Sequence, residues 1–504
     1  MAEPKLAYDR LVSTLKEISL LGSIGALLEW DEQTHLPEKG FEHRANQSSM
    51  LAKMRHDWFT SAVIDDLLAE VESSSLVQDV HGDVAVNVRE TRRAYDRARK
   101  IPGSLVEEMS RTAVMSQQAW AEARKKSDYK LFAPWLDKTL GLKKQEAQCV
   151  GYERNPYDAL LDEFEPGETA DGVRKVFAEL RGPLVELVGK VAASSVKAPV
   201  EILRRSYPLA AQEKLGREAS AAIGFDFQGG RLDVSVHPFC SGMGPGDTRL
   251  TTRYDEHSFD NSFFSVLHET GHGLYEQGLD PKYAGLPRGD AISLGIHESQ
   301  SRLWENFVGR GKPFWKHFFP KVKSAFAQTL ADVNEDAWFL AINDIGPSFI
   351  RTEADEATYN LHVLLRFELE EAMLKGDLSI ADVPGAWNEK MKAYLGLTPP
   401  DAARGCLQDI HWSGGAIGYF PTYTLGNLYA AQFFEKAHED LANLDDSFAK
   451  GDFSPLLDWL RENIHRWGKT FRPRELVKRV TGKEPSAEPL LRHLRAKAAL
   501  YGVR

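Results

Sequence analysis

Apolar residues recur at helical spacing over residues 6–28, 109–149, 173–191, 357–374, 423–441 and 489–501. Apolar positions three and four residues apart share one face of a helix, so each stretch predicts an amphipathic helix. Between about residues 199 and 254 the period shifts to alternation, in Leu232-Asp233-Val234-Ser235-Val236 and over residues 248–252, with glycine-rich turns around them. That alternation predicts a small sheet. From Ser258, placed as an N-cap, the helical pattern returns through Phe263, Phe264, Val266, Leu267 and Leu274, with Gly278 placed to end it. The expected fold is mostly α in a single domain over residues 1–504. Its parts are a helical stretch over 1–198, the small sheet over 199–258, and a helical part over 259–504.

Composition narrows the class. A chain of 504 residues with 42% hydrophobic and 27% charged residues reads as an ordinary globular protein. The net charge of −11 argues against a sequence-independent grip on nucleic-acid phosphates or an anionic membrane. The densest basic run, residues 89–100, alternates with acids and reads as a solvated helix face. Three widely spaced cysteines, Cys149, Cys240 and Cys406, offer neither a disulfide framework nor a Cys-x-x-Cys metal knuckle. A reducing, cytoplasmic setting is the expectation. The apolar stretch 18–28 has no small-residue cleavage site after it and is too short to cross a bilayer.

The chemistry concentrates on the helix after the sheet. His268-Glu269-Thr270-Gly271-His272 is an H-E-x-x-H motif, whose imidazoles four residues apart project from one helix face and can grip one zinc ion. Glu269, beside the first ligand, stands in the general-base position. Gly271 and Gly273 each cost about 1 kcal/mol of helix propensity relative to alanine, which suggests close approach by substrate or another backbone. A catalytic zinc usually takes three protein ligands. Glu298, 26 residues beyond His272 on another predicted helix, is the preferred third, although a plain ion pair with Arg302 at i,i+4 is its bland alternative. His297 and Glu305 are rival third ligands that spacing alone does not separate.

These residues, with several other segments, resemble the carboxypeptidase Taq family of metallocarboxypeptidases. His237-Pro238-Phe239 is similar to its H-P-F motif, residues 247–251 to D-x-R-x-T, residues 268–272 to H-E-x-x-H and His297-Glu298-Ser299-Gln300 to H-E-S-Q. Residues 350–355 are similar to I-R-x-x-A-D, residues 405–412 to G-x-x-Q-D-x-H-W, and the run from Leu28 to Gln47 also looks like the family. The resemblance implies a helical, clam-like homodimer with a deep groove that removes single residues from peptide carboxyl termini.

Within that reading, zinc held by His268, His272 and Glu298 activates water, with Glu269 as the base. His/His/Glu ligation also accepts cobalt or manganese. The oxyanion needs a second donor, and by resemblance Tyr423 is the first choice, with Tyr419, His411 and His237 as alternatives. A free substrate carboxylate calls for the planar fork of an arginine. Arg351 is the best candidate, against a structural ion pair with Asp355. Arg249 and Arg253 are placed to hold substrate or buttress the site, and Asp409 and Trp412 to shape the end of the groove. The competing functions are a zinc oligoendopeptidase or dipeptidase, and a non-catalytic peptide-binding scaffold.

Overall fold

The computed structural model describes residues 3–503. Helices dominate, and the predicted apolar stretches form them with one break: residues 109–149 divide into Gly103–Lys126 and Ala133–Val150. Ser127 sits between them with a left-handed φ of 53°, which turns the chain while the apolar period runs on across the turn.

The sheet has three strands, β1 (Gly230–Val234), β2 (Cys240–Gly244) and β3 (Asp247–Thr252), in the order β1-β3-β2. β3 runs parallel to β1 and antiparallel to β2. β2 reads Cys-Ser-Gly-Met-Gly and carries no apolar alternation, so the sequence pattern passes over it. β1 stops at Val234, leaving Val236 71% exposed.

The main core closes around the helix Phe259–Gly278, whose Phe259, Phe263 and Phe264 pack among Phe314, Trp315 and Trp338. A second, smaller apolar cluster joins the helices Glu3–Thr34, Ala62–Glu72 and Asp83–Lys100 through Leu11, Leu15, Ile64, Leu68 and Val88. The first helix runs for 32 residues, well beyond the apolar stretch 18–28. By length and mean hydropathy alone it suits a bilayer crossing. In this fold it walls a groove of about 1400 Å³ that faces Gly242–Gly244 and Glu276.

The motif near the amino terminus clasps this layer together. Arg44 donates to Leu28 O and, at 2.6 Å, to Asp31 Oδ2, tying the helix Phe41–Phe59 to the first helix. Trp30 then lies under the guanidiniums of Arg231 and Arg249, 4.9 and 4.3 Å from its ring, which fixes the first helix on the sheet.

Candidate active site

The helix Phe259–Gly278 can pack tightly because of its glycines. A Cβ at Gly271 would lie 2.6 Å from Gln300 O and Ser301 Cα, so the helix Leu294–Arg302 approaches with its backbone, as the glycine content predicts. Gly273 meets side chains instead, those of Phe225 and Leu250. Gly278 does end the helix, yet with an extended Leu279 after it, and its missing Cβ makes room for the His465 ring. Ser258 occupies the N-cap without a capping hydrogen bond, because its hydroxyl turns to Arg204 and Asp260.

This approach carries Glu298 to the two imidazoles. Its Oε2 stands 3.6 Å from His268 Nε2 and 3.4 Å from His272 Nε2, and one donor atom from each residue lies within 4.8 Å of the other two. A tetrahedral ion with bonds of 2.0–2.1 Å requires ligand atoms about 3.3 Å apart, so the three donors fit a small divalent cation. Their chemistry, two imidazoles and one carboxylate, suits zinc and its neighbours among the transition metals.

The two rival ligands take other places. Glu305 Oε2 lies 2.9 Å from His268 Nδ1, and His297 Nδ1 lies 2.5 Å from His272 Nδ1. Each backs an imidazole rather than joining the donor set. The predicted Glu298–Arg302 pair forms as well: Arg302 donates to Glu298 Oε1 at 2.7 Å and to Glu305 Oε2 at 3.1 Å. Against the cost of burial, Arg302 and the two imidazoles hold Glu298 well below the usual carboxylate range. Burial pushes Glu269 up to about 7, with Glu298 and Glu305 adding to the rise while His268 opposes it. A carboxyl so tuned can accept and return a proton near neutrality.

A second cluster stands beside the first. The helix Pro421–Asp440 packs on Glu298 through Gly426, where a Cβ would come within 2.6 Å of Glu298 Cγ. Tyr423, three residues earlier, shares that helix face. Its hydroxyl is 3.2 Å from His411 Nε2, and its ring is 5.3 Å from that of Tyr419. Burial takes His411 down to about 4, so its ring is neutral at pH 7. Arg351 lies beneath, 5.0 Å from the Tyr423 ring, donating to Tyr359 Oη at 2.8 Å and to Asp409 Oδ1 at 2.9 Å. Asp355 instead accepts from Gly346, Ala357 and Thr358, so the predicted Arg351–Asp355 pair does not form.

Asp409 also accepts from the fully buried Arg366 at 2.7 Å. One carboxylate thus serves two guanidiniums and leaves a buried positive charge in excess. One further expectation is corrected. Trp412 is a core residue that donates to Glu370 at 2.8 Å, and it does not shape the groove. Arg249 pairs with Asp247 and packs on the Trp30 ring. His237 is exposed on the loop after β1, and its ring makes no hydrogen bond among the described residues. Sequence reasoning missed Glu276, Arg366 and Tyr359. Glu276 alone had a signal, standing four residues after His272 on the same helix face.

A profile of the carboxypeptidase Taq (M32) metallopeptidases matches residues 10–498. The chain belongs to this family. It is 49% identical to the thermostable carboxypeptidase 1 of Thermus thermophilus, over 99% of this chain and 100% of that protein. It is 40% identical to carboxypeptidase 1 of Bacillus subtilis, over 95% of each. Among solved structures, the M32 carboxypeptidase of Deinococcus radiodurans R1 superposes with a TM-score of 0.95 at 41% identity, over 99% of this chain and 100% of that one. The chain is therefore a metallocarboxypeptidase, and the mostly α fold with its small sheet is that of the family.

Proposed function

We propose that this metallocarboxypeptidase holds zinc on His268, His272 and Glu298 and removes single residues from peptides that end in a free carboxylate. The observation that carries the reading is the convergence of one atom from each of these residues within 4.8 Å, beside a buried carboxyl at Glu269. When bound, the metal supplies a Lewis acid for the scissile carbonyl and for the attacking water. Cobalt or manganese fits the same donors.

The chain's own groups do the rest. Glu269 takes the proton of the attacking water and delivers it to the departing amine nitrogen, which returns the carboxylate to its starting state. Tyr423 donates its hydroxyl proton in a hydrogen bond to the developing oxyanion, with neutral His411 orienting the phenol. Arg351 binds the terminal carboxylate, and the buried positive charge left by two arginines on Asp409 favours that anion. Peptide enters along the groove between the first helix and the sheet. A homodimer in the cytoplasm is the setting we assign, on the family resemblance and on three free cysteines.

The test is mass spectrometry of a free-acid peptide and its carboxyl-terminal amide, each incubated with zinc-loaded protein and with chelator-stripped protein. Stepwise, chelator-sensitive loss from the free acid alone is expected. Internal cuts in both peptides would overturn the reading in favour of an endopeptidase, and cleavage of neither would leave only a scaffold.

A further inference from the structure

His272 reaches a carboxylate through another histidine. Its Nδ1 lies 2.5 Å from His297 Nδ1, and His297 Nε2 lies 2.8 Å from Glu276 Oε1. The three side chains form one chain of hydrogen bonds that runs from the metal-ligand cluster to the wall of the groove, where Glu276 is 24% exposed.

Only one arrangement of protons satisfies every link once Nε2 of His272 keeps its lone pair free for a cation. Nδ1 of His272 must then carry the hydrogen and donate to His297 Nδ1. A neutral His297 that accepts at Nδ1 carries its own hydrogen on Nε2 and donates it to the Glu276 carboxylate. All the donors point the same way, from ligand to carboxylate, so each bond polarises the next. The opposite polarity would place a hydrogen on the atom that must bind the metal.

The other ligand is backed differently. Glu305 touches His268 directly, but it also accepts from Arg302 and lies 3.8 Å from Arg310, so part of its charge is already neutralised. Glu276 has no guanidinium or ammonium partner among the described residues, and its full charge acts on His297. Gly242 of β2 leaves room for it there, since a Cβ at that position would come within 2.3 Å of Glu276 Oε2.

We infer that Glu276 and His297 are positioning residues that fix the tautomer and orientation of His272 and raise its basicity toward the bound cation. The inference rests on the reading of His268, His272 and Glu298 as the metal-ligand set. Partners of ligating imidazoles in other proteins typically change metal affinity by about 10–100-fold when removed.

The experiment is a zinc dissociation constant, measured on the full chain by competition with a chromophoric chelator, for the native protein, Glu276→Gln and His297→Asn. Circular dichroism melting of the metal-free proteins reports folding. Both variants should melt near the native temperature and bind zinc about 10–100-fold more weakly. A folded variant with native affinity would refute the relay. If either replacement fails to fold, Gly242→Ala displaces the Glu276 carboxylate while keeping its charge; it should weaken zinc in the same direction, and native affinity there would refute the relay too. Failure of the native protein to bind one zinc ion would instead overturn the assignment of the ligand set itself.

Discussion

Glu298 divides its carboxylate between Arg302 and the imidazoles: Oε1 accepts from Arg302 Nε at 2.7 Å while Oε2 faces His268 and His272. One side chain therefore makes the ion pair and still turns an oxygen to both imidazoles. The guanidinium holds Glu298 and Glu305 together, and a lysine cannot span both acids. Arg302→Lys should weaken zinc by about 10-fold or more, read by chelator competition. Unchanged affinity would mean that Glu298 needs no such support.

Glu269 is buried next to the ligands without belonging to their set. Glu269→Gln keeps the shape and removes the base. Turnover should fall by about 10²–10⁴-fold while one equivalent of zinc remains bound, measured by peptide hydrolysis and metal analysis on the same sample. Retained turnover would sink the assignment of Glu269 as the base.

Arg351 is assigned to the terminal carboxylate. Arg351→Gln removes a charge-assisted fork that is worth about 1.5–3 kcal/mol, which corresponds to about 10–100-fold in kcat/KM for free-acid peptides. The carboxyl-terminal amide, which the native protein is expected to spare, should stay uncleaved. An unchanged kcat/KM on free-acid peptides would overturn the assignment.

Tyr423 and Tyr419 meet edge to face beside His411, and their roles separate by kinetics. Tyr423→Phe should lower kcat by about 10²–10³-fold with KM little changed, as expected for a donor used in the transition state. If Tyr419→Phe produces that loss and Tyr423→Phe does not, the two assignments exchange.

Glu165 gives a pH-dependent stability away from the chemistry. It is fully buried, accepting from Gly295 N at 2.9 Å and Tyr429 Oη at 3.1 Å, and burial pushes it up to about 8. The fold disfavours its ionised form. Its contribution is fully present below the ordinary value of 4.5 and is lost as pH rises through about 8. Glu165→Gln does not titrate, so its Tm should gain on the native protein between pH 5 and 9. A constant difference in Tm across that range would contradict the burial argument.

Much of the architecture was legible as pattern. The helical period survived in all but one of the predicted stretches, because a buried face imposes it residue by residue whatever the partner. It failed at Ser127 and at β2 for related reasons. A left-handed turn is one residue's backbone choice, and a glycine-rich strand held by backbone pairing carries no side-chain alternation.

The sequence by itself determined the mostly α class, the helix with its paired histidines, and the glutamate beside them, all of which follow from spacings of a few residues. The approach of Glu298 to the imidazoles, the Arg351–Asp409 pair and the link from His272 through His297 to Glu276 join residues distant in sequence. Only the tertiary structure decided that Glu298 faces both imidazoles, that His297 and Glu305 stand behind them, and that Arg351 pairs with Asp409 instead of Asp355. The physical reason is that local spacing sets which face of a helix a side chain leaves from. Which face it then meets depends on packing, here on Gly271 and Gly426 letting neighbouring helices close on the site.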